Sequence, residues 1–324
     1  MFFFNPQVII TKKRAYHLSF FAALMTTVFA AGLMPVFFTL TLHRKIKEDN
    51  KLALILSKKR LSPDIVSMDI AASAIAKNAK AGQFIILRVC EDGERIPLTI
   101  ADFDAINGTV TIIFAEVGLT TKLLGKLDVG YNVLDIVGPL GVPTHFPEDI
   151  KTAAVIGGGL GCAIAWPQAK ALAAAGVAVD VIAGFKTKEL VILEDELAKT
   201  GALTLCTDDG SAGFHGFVTQ ALSGSLAAGK KYDLAVAIGP LPMMKAVCDV
   251  TWPSEIPTVV SMNPIMIDGT GMCGGCRLTV GGQVKFACVD GPDFDGHKVD
   301  FAEAMTRLAT YRDCEKCKME ELLK

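Results

Sequence analysis

Three cysteines late in the chain carry the clearest chemical signal. Cys273 and Cys276 flank two glycines in Asp268-Gly-Thr-Gly-Met-Cys273-Gly-Gly-Cys276, and Cys288 follows 12 residues later. Three thiolates on so glycine-rich a loop can wrap a compact inorganic core, because glycine turns freely and lets backbone approach closely. A structural zinc ion and an iron–sulfur cluster each need four ligands. The nearest further donor is Asp268, five residues before Cys273. Three cysteines with one carboxylate are unusual for structural zinc, so Asp268, Cys273, Cys276 and Cys288 read best as a [2Fe–2S] site, with zinc as the competitor. A second Cys-x2-Cys, Cys314 and Cys317, has no further donors beside it. Accidental spacing is favoured there, and a site completed by a partner stays open. Cys90, Cys162, Cys206 and Cys248 stand in apolar stretches and read as buried packing. His145, His215 and His297 show no ligand grouping.

A second signal is the run Gly157-Gly158-Gly159-Leu-Gly161, which follows an apolar strand and opens an alanine-rich helix. In that context backbone N–H groups and a helix N-terminus can hold a diphosphate. Strict G-x-G-x-x-G spacing is not met, because position 162 is Cys, and Asp180 lies early in the second strand instead of at its end. A plain tight turn is therefore the competing reading. Asp208, Asp209, Gly210 and Ser211 follow another expected strand, and Gly239, Pro240 and Met243 follow a third. Together they could offer hydroxyl and carboxylate contacts and a wall against a flat ring.

The elements that must position these groups fall into an ordered series. Short β-rich runs over 52–56, 65–70, 83–89, 109–114 and 132–137, separated by turn residues, suggest a small antiparallel barrel. Gly138-Pro-Leu-Gly141-Val-Pro143 breaks that pattern. Strands over 152–156, 177–182, 203–206 and 234–238 then alternate with helices over 162–175 and 189–199, the rhythm of an open parallel sheet. The expected division is 1–50 apolar N-terminal segment, 51–148 barrel, 149–258 α/β nucleotide-binding domain, and 259–324 cysteine module with a terminal helix.

Length and charge set outer bounds. A chain of 324 residues suggests two or three domains, and 51% hydrophobic content is ample for their cores. Lys+Arg 32 against Asp+Glu 34 argues against a nucleic-acid partner, since no basic surplus exists to displace counterions. The odd count of nine cysteines, crowded only near the end, argues for a reducing compartment, hence the cytoplasm. Residues 15–42 contain no Lys, Arg, Asp or Glu. As a helix they would reach about 42 Å, beyond the bilayer core. A membrane anchor and a mis-set translation start are equal readings, with export a lesser one; contact with the membrane requires residues 15–42 to be expressed.

A barrel, a nucleotide-type α/β domain and a cysteine loop, in that order, resemble the ferredoxin-reductase superfamily variant that carries a C-terminal [2Fe–2S] module. The chain is similar, from about Leu52 to Ala309, to the family containing two sister proteins. These are the electron-transfer subunit of dihydroorotate dehydrogenase and the small (alpha) subunit of NADH-dependent ferredoxin:NADP oxidoreductase, also called sulfide dehydrogenase. The resemblance implies that the barrel holds FAD. Arg95 would then lie toward the diphosphate, with Pro97, Leu98, Thr99 and Ile100 along the isoalloxazine, and Gly118, Thr120 and Thr121 at phosphate. Arg95 stands one residue further out than in other ferredoxin reductases. Dihydroorotate-type subunits carry a cysteine where this chain has Asp268, and Asp-Gly-Thr-Gly-Met-Cys-Gly matches the ferredoxin:NADP type.

The implied activity is electron transfer between NAD(H) or NADP(H) and a partner flavoprotein, through FAD and [2Fe–2S], without acid–base catalysis by the protein. The implied partner is a larger flavin and iron–sulfur subunit resembling the glutamate synthase small subunit, with ferredoxin reached through the complex. The rivals are the dihydroorotate-linked subunit of pyrimidine biosynthesis, a cluster-based redox sensor without turnover, and a membrane-anchored module of a respiratory complex. Lys186 and Lys188 leave the choice between NADH and NADPH open.

Overall fold

The computed structural model describes residues 53–311. The apolar segment 15–42 and the pair Cys314 and Cys317 lie outside the described residues. Among the described residues, no helix is long and apolar enough to cross a membrane.

The first region is β1 (Ile55–Ser62), β2 (Ile65–Ala71), α1 (Ser73–Ala76), β3 (Phe84–Arg88), β4 (Arg95–Asp104), β5 (Thr109–Ala115), α2 (Leu119–Lys126) and β6 (Asp135–Leu140). The strands form one antiparallel sheet in the order β1-β2-β5-β4-β3-β6. Ile55 N donates to Tyr131 O at 2.8 Å and Val133 N to Ala53 O at 3.0 Å, so the first strand also meets the segment just before the last. Alternate residues Val66, Met68 and Ile70 of β2 point inward and pack with Ile85, Leu87, Ile112 and Phe114. β1 and β6 each begin three residues later than expected. β4 was not among the expected runs; Pro97 within it cannot donate to a ladder. It is tolerated because residues 95–99 pair only with β3, and pairing to β5 starts at Ile100.

The second region is β7 (Thr152–Gly158), α3 (Gly161–Ala174), β8 (Ala178–Phe185), α4 (Glu194–Ala198), β9 (Ala202–Thr207), β10 (Phe214–His215), α5 (Val218–Ala227), β11 (Leu234–Ile238), α6 (Leu241–Thr251) and β12 (Thr258–Ser261). These strands are parallel. Both faces are covered, so Ala153 to Ile156 are all fully buried. The helix expected over 189–199 shrinks to α4, because a short 3-10 turn at Lys188–Leu190 runs into extended Val191, and Leu193, just before α4, is left-handed (φ 57). Helices α5 and α6 add to the expected set.

The last region is β13 (Arg277–Val280), β14 (Gln283–Phe286), α7 (Ala287–Asp290), β15 (Asp293–Asp295) and α8 (Phe301–Leu308). β15 pairs antiparallel with β12, giving the larger sheet the order β10-β9-β8-β7-β11-β12-β15. The cysteine region is thereby stitched onto the parallel sheet, and the expected boundary at 258/259 falls within β12. A polar junction ties all three regions together. Gln168 Nε2 on α3 donates to Thr144 Oγ1 (2.5 Å) and to Asp293 Oδ2 (2.9 Å), and the Thr144 hydroxyl donates to the same carboxylate.

Candidate functional site

The parallel sheet changes direction between β7 and β11: β8, β9 and β10 extend to one side, β11 and β12 to the other. Ligands of open α/β sheets sit at the carboxyl ends of strands at such a point. The glycine loop leaves β7 there, and its close packing explains its composition. A Cβ on Gly157 would lie 2.8 Å from Cys162 Sγ, and one on Gly161 would lie 2.8 Å from Gly239 Cα. Gly159 takes a positive φ of 56° and donates its N–H to Gly184 O at 2.8 Å. Gly239 and the side chain of Met243 close over Gly158, so the first and third expected segments do share one edge.

Asp208 to Ser211 sit two strands from β7, beyond β8, at the exposed end of β9. Asp209 accepts from Ser211 N (3.0 Å) and Ser211 Oγ (2.6 Å), which holds its carboxyl below the usual range. Lys188 N donates to Ser211 Oγ at 2.8 Å, linking the turn after β8 to the turn after β9. The buried Cys162 beneath the glycine loop is pushed up to about 12 by burial and is an inert packing thiol. Cys206 and Cys248 are buried as expected, but Cys90 is exposed. It lies in the tight turn between β3 and β4, where Gly93 N donates to Cys90 O at 2.9 Å and no core is within reach.

In the antiparallel sheet, Pro97, Leu98 and Thr99 are half-buried, with one backbone edge free of any partner strand. Ile100 is fully buried and belongs to the core. Arg95 is exposed at the start of β4. Gly118 precedes α2, and Gly118 N donates to Thr121 Oγ1 at 3.0 Å. Thr120 is buried, and its hydroxyl donates to Glu94 Oε2 at 3.3 Å, setting the start of β4 beside the helix N-terminus. Thr120 therefore organises this corner from beneath, whereas Arg95 and the first amides of α2 face outward.

The cysteine loop is shaped by the β13–β14 hairpin. Register Arg277↔Phe286 places Cys276 and Cys288 at matching ends, with their sulfurs 3.2 Å apart and both thiols buried. Burial, then the neighbouring Cys276 thiol, raises the Cys288 pKa. Cys273 is exposed on the loop lip. Its sulfur accepts from Gly275 N at 3.4 Å and from the Asp268 amide, which lowers its pKa. Asp268 Oδ2 accepts from Thr270 N (2.9 Å), Thr270 Oγ1 (2.5 Å) and Met272 N (3.2 Å), with Arg95 adding a favourable charge. Two thiols in contact without a disulfide and a third over backbone amides form a donor set that fits an iron–sulfur cluster. Among the described residues, no three such side chains already stand at metal-holding distances. Cys276 and Cys288 are in contact, with Cys273 and Asp268 on the adjacent lip.

The two sites are neighbours. A Cβ on Gly269, within the cysteine loop, would lie 2.6 Å from Ile86 Cγ1, and Ile86 is the cross-strand partner of Pro97. Phe84, Ile86, Cys276 and Cys288 share one apolar cluster.

Residues 263–300 match the iron–sulfur cluster binding domain of dihydroorotate dehydrogenase B. The chain is 44% identical over 270 residues to the Thermotoga maritima dihydroorotate dehydrogenase B (NAD(+)) electron transfer subunit homolog, covering 83% of this chain and 95% of that one. The chain belongs to the family of dihydroorotate dehydrogenase B electron-transfer subunits and their homologues. An uncharacterized protein from the adh 3′ region of Clostridium beijerinckii is 53% identical over 266 residues, covering 80% of this chain and 90% of that one. A chain of the NADH-dependent reduced ferredoxin–NADP oxidoreductase, solved to understand flavin-based electron bifurcation, superposes with TM-score 0.80 at 42% identity, over 84% of this chain and 98% of its own. The electron-transfer subunit thus has a ferredoxin-reductase-like fold with a C-terminal iron–sulfur binding domain, and it works as an oxidoreductase subunit.

The residues not anticipated from sequence are those joined over long separations. Thr144, Gln168 and Asp293 have no local pattern that could mark them. Arg307, which donates to Gly275 O at 3.2 Å, was hidden in a polar terminal helix.

Proposed function

We propose that the chain takes electrons from NADH and relays them singly to a larger partner subunit, as in ferredoxin:NADP oxidoreductases. When bound, FAD supplies hydride acceptance and the [2Fe–2S] cluster supplies one-electron transfer. The amides of Gly157–Gly161 and the N-terminus of α3 hold the nucleotide diphosphate. Gly239, Pro240 and Met243 wall the nicotinamide against the sheet edge. Asp208 and Asp209 disfavour a 2′-phosphate, which supports NADH over NADPH. The free edge of Pro97, Leu98 and Thr99 meets the flavin ring, and Arg95, Gly118 and Thr121 face its phosphates. Asp268, Cys273, Cys276 and Cys288 hold the cluster, with Asp268 Oδ1 as the oxygen left for iron.

The observation that carries this reading is the contact of Gly269 with Ile86, opposite Pro97. It brings the loop of Asp268 and Cys273 against the strand that pairs with Pro97, which supports a flavin and a cluster close enough for a relay. Asp268, where dihydroorotate-type subunits carry cysteine, supports the ferredoxin:NADP type. It also supports a partner resembling the glutamate synthase small subunit, with ferredoxin reached through the complex. We place the reaction in the cytoplasm, where the seven cysteines of the described residues persist as thiols.

The test is an anaerobic NADH titration of the purified full-length chain, followed by visible absorption. Bleaching of a flavin band and a cluster band is expected. A colourless, zinc-containing protein would overturn the reading. Bleaching without turnover toward an artificial acceptor would make the chain a redox sensor.

A further inference from the structure

Helix α8 packs behind the cysteine hairpin. Phe301 and Ala304 enter the apolar cluster that contains Cys276, Leu278 and Cys288. Its polar groups reach the same hairpin at successive heights. Asp300 N donates to Thr279 O (2.9 Å), Thr279 N donates to Glu303 Oε2 (3.0 Å), and Arg307 Nη2 donates to Gly275 O (3.2 Å). Glu303 and Arg307 lie four residues apart, hence on one helix face, so the grip on β13 orients the guanidinium toward the loop. Gly275 stands between Cys273 and Cys276, and its own N–H points to Cys273 Sγ.

From this geometry we propose that Arg307 is a positioning residue for the cluster, fixing the turn between two ligands through Gly275 and making the bound cluster easier to reduce. The inference rests on the reading of Asp268, Cys273, Cys276 and Cys288 as ligands. Reduction adds one negative charge to the site. A half-buried guanidinium tied to the ligand loop stabilises that charge, and does so more than a solvated one. Arg277 supplies the comparison: it lines the same cleft of about 370 Å³ beside Cys273, yet it is exposed.

The experiment is an EPR-monitored redox titration of full-length protein carrying Arg307→Lys, Arg307→Gln, Arg307→Ala or Arg277→Gln. At fixed poise, Arg307→Gln is expected to lower the reduced-to-oxidised ratio about tenfold, equivalent to about 59 mV for one electron. Arg307→Lys should recover most of that loss, and Arg277→Gln should change the ratio less than about twofold. Hydrogen exchange at residues 270–276 should accelerate in Arg307→Ala, with or without iron. An iron-loaded Arg307→Gln with an unchanged potential overturns the inference, as does an equal shift from Arg277→Gln. If Arg307→Ala loses its iron, the Gln and Lys variants decide. Wild-type protein that binds no iron overturns the proposed function itself, and this inference with it.

Discussion

The nucleotide edge and the cysteine loop are both built from glycines, but the glycines do opposite jobs. At the nucleotide edge they remove side chains where backbone meets backbone: Gly161 against Gly239, and Gly157 against the start of α3. That shape is set by backbone packing within the chain itself. In the cysteine loop, Gly269, Gly271 and Gly274 supply positive φ (80°, 90° and 68°), and Met272 and Cys273 remain exposed. That loop is bent by its sequence but closed on one side only, through Cys276 and Cys288. One site is preorganised by packing. Under the proposed reading the other is finished by its cluster, as metal sites coupled to folding commonly are.

The largest effect should come from Cys276→Ser, which removes the buried half of the thiol pair. Iron content and the visible cluster band are expected to vanish while NADH binding at the β7 edge persists, as read by metal analysis and by NADH fluorescence titration. Loss of both would mean that the two regions are not separable. Next is Gly161→Ala, whose new methyl collides with backbone carbonyl and Cα atoms that cannot rotate away. A stability loss of about 1–3 kcal/mol and at least tenfold weaker NADH binding are expected, with iron content unchanged, from denaturant melts and the same fluorescence titration. Removing iron with a chelator should accelerate hydrogen exchange in residues 268–276 and leave β7 and α3 protected. Equal loosening of both would erase the contrast.

The smallest effect concerns the junction that joins the regions. Asp293 is only half-buried as a residue, but its Oδ1 is shut from solvent without a donor, as is Oε1 of Gln168. Burial raises its pKa, against hydrogen bonds from Ser261, Thr144 and Gln168 that lower it. A raised folded pKa means the native state holds this proton more tightly than the unfolded chain. Its stabilising contribution is complete below the unfolded carboxyl value of about 4 and is lost as pH rises through the folded value. Asp293→Asn is expected to flatten that decline and to gain about 1 kcal/mol near neutral pH, read from melts between pH 4 and pH 8. A steeper decline in the variant would show that the ionised carboxylate is the favoured native form.

Both glycine-rich loops were legible in sequence, because each is a local pattern. Spacing marks a glycine-rich strand–loop–helix turn and a Cys-x2-Cys with a third cysteine downstream. β4 was less legible: Pro97 fits a strand only because residues 95–99 pair with one neighbour, which packing decides. Cys90 looked like core from its apolar neighbours, and only the turn at Gly93 turns it outward. The helix expected over 189–199 failed at Leu193, whose left-handed backbone no propensity rule foresees.

Local pattern was enough for the inventory: the candidate donors Asp268, Cys273, Cys276 and Cys288, the glycine loop, and the order of regions along the chain. Tertiary structure alone decided adjacency. Ile86 lies beneath Gly269, Gln168 reaches Asp293 125 residues away, and Arg307 reaches Gly275 32 residues away. Local spacing follows from backbone geometry within a few residues. Contacts between distant segments depend on how whole sheets pack, and no short stretch of sequence encodes that.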